Sequence, residues 1–137
     1  MKPLLVLFAA ALSTASCNKS NCENSKMLTG QWELRQSTGG FAGTINYQAG
    51  TGLTIEFDNN GQYRFIYPSN ANGIPRSGAY TIKKSIVAGD WLLQLNWMYN
   101  GQSLVDNDSV RFDKNKLIFL PSASCCDIPT VTYERVE

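Results

Sequence analysis

The sequence contains no histidine. That absence removes Ser-His-Asp and Cys-His catalysis and every zinc site built on imidazole. Charge of either sign is also not in excess: 12 lysines and arginines face 11 acids, a formal net charge of +1. Phosphate affinity needs a basic surplus, so nucleic acid is excluded as a partner. The apolar run at residues 4–12 falls short of the roughly 20 residues that a membrane-spanning helix needs. There is no internal repeat or low-complexity tract. What remains is a chain of 137 residues, 43% hydrophobic and 17% charged, enough for one globular core and too short for two.

Residues 1–16 have the layout of a secretory signal: Lys2 as the positive region, the apolar run, then small residues. The stretch Leu12-Ser13-Thr14-Ala15-Ser16-Cys17 resembles the lipobox of bacterial lipoproteins, with Thr14 where Leu is usual. The resemblance implies that Cys17 is lipidated and becomes the mature N-terminus, anchoring the protein to a membrane of the cell envelope. An ordinary signal peptide, leaving a free Cys17 thiol, is the alternative. Removing residues 1–16 removes Lys2 and leaves acids and bases equal in number, with no arm for steering a charged partner.

Four cysteines occur, Cys17, Cys22, Cys125 and Cys126. Export permits disulfides. A Cys22–Cys125 bridge would close a loop of roughly 100 residues and stabilise by about 4 kcal/mol. Cys22–Cys126 and a vicinal Cys125–Cys126 bridge are the alternatives. Three thiolates without histidine are a poor metal set, so neither a metal nor another cofactor is expected.

Residues 18–26 are polar and read as a tether, leaving residues 27–137 as the folded domain. From there the pattern has period two almost throughout. Strands are expected at 27–37, weakly at 41–48, around Leu53, Ile55 and Phe57, and at Tyr63, Phe65 and Tyr67. Further strands are expected at 78–84, 91–99, around Val110 and Phe112, at 117–120 and at 130–136. Asp58-Asn59-Asn60-Gly61 and Asn100-Gly101 are turn signals. No helical period appears after the signal. The expected fold is all-β, an eight- to nine-stranded antiparallel up-and-down barrel, because closure removes edge strands. A β-sandwich would need longer crossovers.

Gly30-Gln31-Trp32 opens the first strand, as the G-x-W element does in lipocalins. There the Trp closes one end of the barrel against an Arg from the last strand, a role Arg135 is placed to fill by stacking on Trp32. With Cys17, the pieces 28–34, 39–43, 57–63, 77–80 and 133–136 make the chain resemble the lipocalin-like lipoproteins of Gram-negative bacteria. The resemblance spans nearly all of the mature chain. It implies a membrane-anchored barrel and brings no ligand with it.

Asp106-Asn107-Asp108-Ser109 alternates oxygen ligands as calcium loops do, but lacks the Gly and closing Glu of an EF-hand, and reads as a polar turn. The expected inward faces carry no Asp or Glu; Glu33, Glu56 and Glu134 fall on the opposite faces and are expected in solvent. No catalytic residue is expected. Aromatic side chains either fill such a barrel or line a pocket for one small ligand. Phe65, Tyr67, Tyr80, Leu95, Trp97 and Tyr99 are the candidate ligand-binding residues, with Tyr67, Trp97 and Tyr99 near an open mouth. Two functions follow: a monomeric membrane-anchored binder of a small hydrophobic or amphipathic molecule, or an envelope interaction module with a filled barrel.

Overall fold

The computed structural model describes residues 19–121 and 128–136. The expected signal, Cys17, Cys125 and Cys126 lie outside them.

The alternating segments form nine antiparallel strands: β1 (Gly30–Thr38), β2 (Thr44–Asn46), β3 (Thr54–Phe57), β4 (Gln62–Ile66), β5 (Ser77–Lys84), β6 (Asp90–Tyr99), β7 (Gln102–Asp113), β8 (Lys116–Leu120) and β9 (Thr130–Val136). Strands β3 to β9 pair in chain order, and β9 returns to β1 with Trp32 opposite Arg135 and Leu34 opposite Tyr133. The result is a closed eight-stranded barrel of up-and-down, lipocalin-like form, with β2 as an additional outer strand.

β2 and β3 lie end to end along one edge of β1: β2 pairs with Gln36–Thr38 and β3 with Gly30–Glu33. Between them Tyr47 donates its N–H to Arg35 and Leu53 accepts from Leu34, so residues 48–52 loop out of a single interrupted strand. The loop returns across the outer face, where the Gly52 N–H donates to Glu33 Oε1 at 3.1 Å. A Cβ at Gly52 would collide with the Leu34 carbonyl. Beneath the loop Glu33 is only 4% exposed, with Arg35 Nη1 3.0 Å from its Oε2. That contact is a close ion pair without the angle of a hydrogen bond. The expectation that Glu33 is solvated fails, because alternation puts it outward but cannot show that a loop covers it.

Three further expectations are corrected. The expected tether contains a helix, α1 (Lys19–Leu28). The expected strand at 41–48 is reduced to three residues, after a turn whose Gly39 N–H donates to Gly43. The expected Cys22–Cys125 disulfide is corrected to this extent: no disulfide or close cysteine pair is found among the described residues, which do not include Cys125.

α1 carries little apolar surface, so its stability comes from tertiary contacts. Leu28 is fully buried under the barrel. The last turn of a helix leaves carbonyls without intrahelical partners. Here Trp32 Nε1 donates to Leu28 O at 2.6 Å, Arg135 Nη2 to Met27 O at 2.8 Å and Arg135 Nη1 to Thr29 O at 2.5 Å. The Arg135 guanidinium also lies 4.3 Å from the Trp32 ring centroid. Gly30, with φ of 124°, starts β1 directly beneath it, and a Cβ there would collide with Arg135 Nη1. Helix, Trp32 and Arg135 together seal this end of the barrel. Phe57, Ile55, Leu93, Val110 and Leu117 form the buried layer above the seal.

Candidate functional site

The opposite end holds the turns 39–43 and 100–101, the loop 67–76 and the strand ends around them. β7 decides its chemistry. The segment 106–109 is not a turn; it lies in the middle of this 12-residue strand. Register places Asp108 opposite Leu93 and Asp106 opposite Leu95. Directly opposed residues share a face, and both leucines are buried. Asp106 and Asp108 therefore point into the barrel, in one row with Leu104, Val110 and Phe112. This corrects the expectation of inward faces free of acids.

Asp106 is held by two donors. Arg76 Nη1 and Trp97 Nε1 both lie 3.1 Å from its Oδ2. The guanidinium sits over the Trp97 ring, 4.3 Å from the centroid. Arg76 ends the 67–76 loop, and its carbonyl accepts from the Phe65 N–H at 2.8 Å. Although it points inward, the Asp106 side chain is 39% exposed. Water therefore reaches the interior from this end, and the barrel has a mouth here.

Deeper in, Asp108 makes no hydrogen bond or ion pair with any described residue. Burial raises its pKa, as does the Asp106 charge, while Arg76 acts in the opposite sense. Tyr63, 3% exposed, holds a buried hydroxyl with no partner. Burial, and then the Asp106 charge, push its pKa up to about 12, against the pull of Arg76. Tyr133 is also raised, by burial first and then by Tyr67, Asp108 and Tyr47. Tyr63 thus feels the charge of Asp106 and Tyr133 that of Asp108. Among the described residues of this half, the inward charges are Arg76, Asp106 and Asp108, one negative charge in excess.

Aromatic rings wall the mouth. Phe65 and Tyr67 stack at 6.3 Å between centroids, and Tyr99 tilts against Trp97 at 6.0 Å. The loop packs on Tyr67 so closely that a Cβ at Gly73 would overlap its ring. Of the six sequence candidates, Phe65, Tyr67, Trp97 and Tyr99 come together here. Leu95 lies in the wall opposite Asp106. Tyr80 belongs to the sealed end: it packs edge-on to Phe57 at 5.0 Å, and its hydroxyl donates to Asp58 O at 2.9 Å. Sequence reading missed Arg76 and the two aspartates as site residues. The signal for the aspartates was the alternation Leu104, Asp106, Asp108, Val110, Phe112, masked by turn-like composition.

A separate cleft of about 410 Å³ lies against the outer face of β3–β5, where Glu56, Arg64 and Ser77 stand in one outward row. Glu56 and Arg64 form an ion pair there. Its charged walls suit no apolar molecule. Among the described residues no group of His, Cys, Asp and Glu could hold a metal ion. Comparison with family models, curated proteins and solved structures found no match to this chain.

Proposed function

We propose that the protein is a lipid-anchored, lipocalin-like binding module of the cell envelope rather than an enzyme, and that it takes a small amphipathic molecule into the open mouth of its barrel. The observation that carries this reading is Asp106, an inward carboxylate open to water and hydrogen-bonded by Trp97, whose ring packs against Tyr99. Ligand sites combine apolar walls with a few polar groups of this kind. The anchor rests on the lipobox-like sequence before Cys17. Titration with the neutral fluorophore N-phenyl-1-naphthylamine, following energy transfer from tryptophan, tests the pocket. Saturable binding weakened by Trp97→Leu is expected; no saturable binding would end the reading. Intact mass of the membrane fraction tests the anchor, and an unlipidated chain would remove it.

Phe41, 99% exposed in the 39–43 turn at the same end, favours a second reading, a surface for a protein partner. Crosslinking from position 41 in intact cells tests it; the absence of any adduct would refute it.

A further inference from the structure

We infer that the mouth selects a primary ammonium group carried on an apolar body, with Asp108 and Asp106 as its counter-ions and Tyr63 as a hydrogen-bond partner. The inference rests on the ligand-binding reading above and names the ligand's chemistry.

Three observations converge. First, Asp106 spends one oxygen on Arg76 and Trp97, while Asp108 has no partner among the described residues. Asp108 is half-buried, so its carboxylate is partly stripped of water, and a cation entering beside it offsets that cost. Second, Tyr63 is buried with its hydroxyl unpartnered, and register sets it in line with Gly78 and Trp97, the donor to Asp106. A buried hydroxyl without a protein partner can take one from a ligand. An ammonium supplies three donors, which a hydroxyl oxygen and two carboxylates can accept. Third, the inward charges of this half sum to one negative among the described residues, so a single positive charge balances them.

The spacing fits. Residues two apart on a strand have Cα atoms about 7 Å apart. One ammonium at about 2.8 Å from each carboxylate bridges oxygens about 5.6 Å apart, which side chains on Cα atoms so spaced can reach. The faces of Phe65 and Tyr67 lie alongside and favour a cation as well as an apolar tail. An anionic ligand meets the opposite conditions. The Arg76 guanidinium is already engaged by Asp106 and Trp97, and two carboxylates would repel the newcomer.

The test compares three ligands of one chain length on the full chain at pH 7: n-decylamine, 1-decanol and decanoate, each below its aggregation concentration, followed by tryptophan fluorescence. The amine is expected to bind at least tenfold more tightly than the alcohol, with decanoate weakest. Asp108→Asn, checked for fold by circular dichroism, should bring the amine down to the alcohol's affinity. Tyr63→Phe should cost the amine a few-fold. If amine and alcohol bind alike, or decanoate binds best, the inference is overturned while the mouth still binds. If none of the three binds, the binding reading falls with it. The wild-type comparison stands even if the Asn variant does not fold.

Discussion

Replacing Arg135 by alanine should weaken the barrel more than any other surface-reachable substitution on the last strand. Arg135 makes two charge-assisted hydrogen bonds to carbonyls at the C-terminus of α1 and covers the Trp32 ring at 4.3 Å. A hydrogen bond to a charged group contributes about 1.5 kcal/mol at the lower end of its range, and less where water can replace it. The cation–π contact adds about 1 kcal/mol at a half-desolvated site. Together the loss is about 3 kcal/mol. For a domain of this size, that lowers the melting temperature by about 10 °C. Urea denaturation followed by circular dichroism reads it, with the midpoint falling and the denaturant slope unchanged. Arg135→Lys keeps the charge but not the planar fork, and should recover less than half. Gly30→Ala provides a coupling check. Its Cβ would strike Arg135 Nη1, so part of its cost should vanish once Arg135 is alanine, the remainder being strain at positive φ. An Arg135→Ala variant within about 0.5 kcal/mol of wild type would refute the reasoning, because the sealed end would then not depend on the bonds described.

Three other outcomes follow from the same geometry. Gly78→Ala should destabilise by about 1–3 kcal/mol, since its Cβ would collide with the Asn96 carbonyl across β5–β6; chemical denaturation reads it. Tyr63→Phe removes a buried hydroxyl without a partner and should stabilise by about 1 kcal/mol in the ligand-free protein, measured the same way. Asp108 has its pKa raised by burial, so the folded state holds its proton more tightly than the unfolded state. Its contribution to stability is therefore lost as pH rises from the unfolded carboxylate range through the raised folded value. Asp108→Asn should remove that loss, and melting curves across pH 3–7 should show a flatter decline for the variant.

The barrel was readable because its strands alternate. Leu93, Leu95 and Trp97 against Leu92, Gln94 and Asn96 need no long-range knowledge to orient. The turn at 58–61 was equally local: Asp58 Oδ1 accepts from both Asn60 and Gln62 N–H groups at 2.8 Å. What was not readable depends on distant partners. α1 looks like a polar tether because its anchors, Trp32 and Arg135, lie in strands it precedes. Glu33 is outward by alternation and buried only by a loop from beyond β2. Asp106 and Asp108 were the larger omission. Aspartate disfavours strands and favours turns when judged locally, and β7 overrides that preference through pairing with β6 along its whole length. Two carboxylates carried inward at such local cost are where a functional site is to be sought.

The seam between β1 and β9 has a kinetic meaning. Around the rest of the barrel, hydrogen-bonded neighbours follow one another closely in the chain, whereas this pair joins its two ends. Arg135 and Thr29, bonded beside the seam, are 106 residues apart. Closing so long a loop carries a larger chain-entropy cost than any neighbouring pair, so contacts that depend on it are expected to form late. Late contacts change the rate of unfolding more than the rate of folding. On that expectation the helix and Arg135 do not seed this barrel; removing their bonds should speed its unfolding more than it slows its folding.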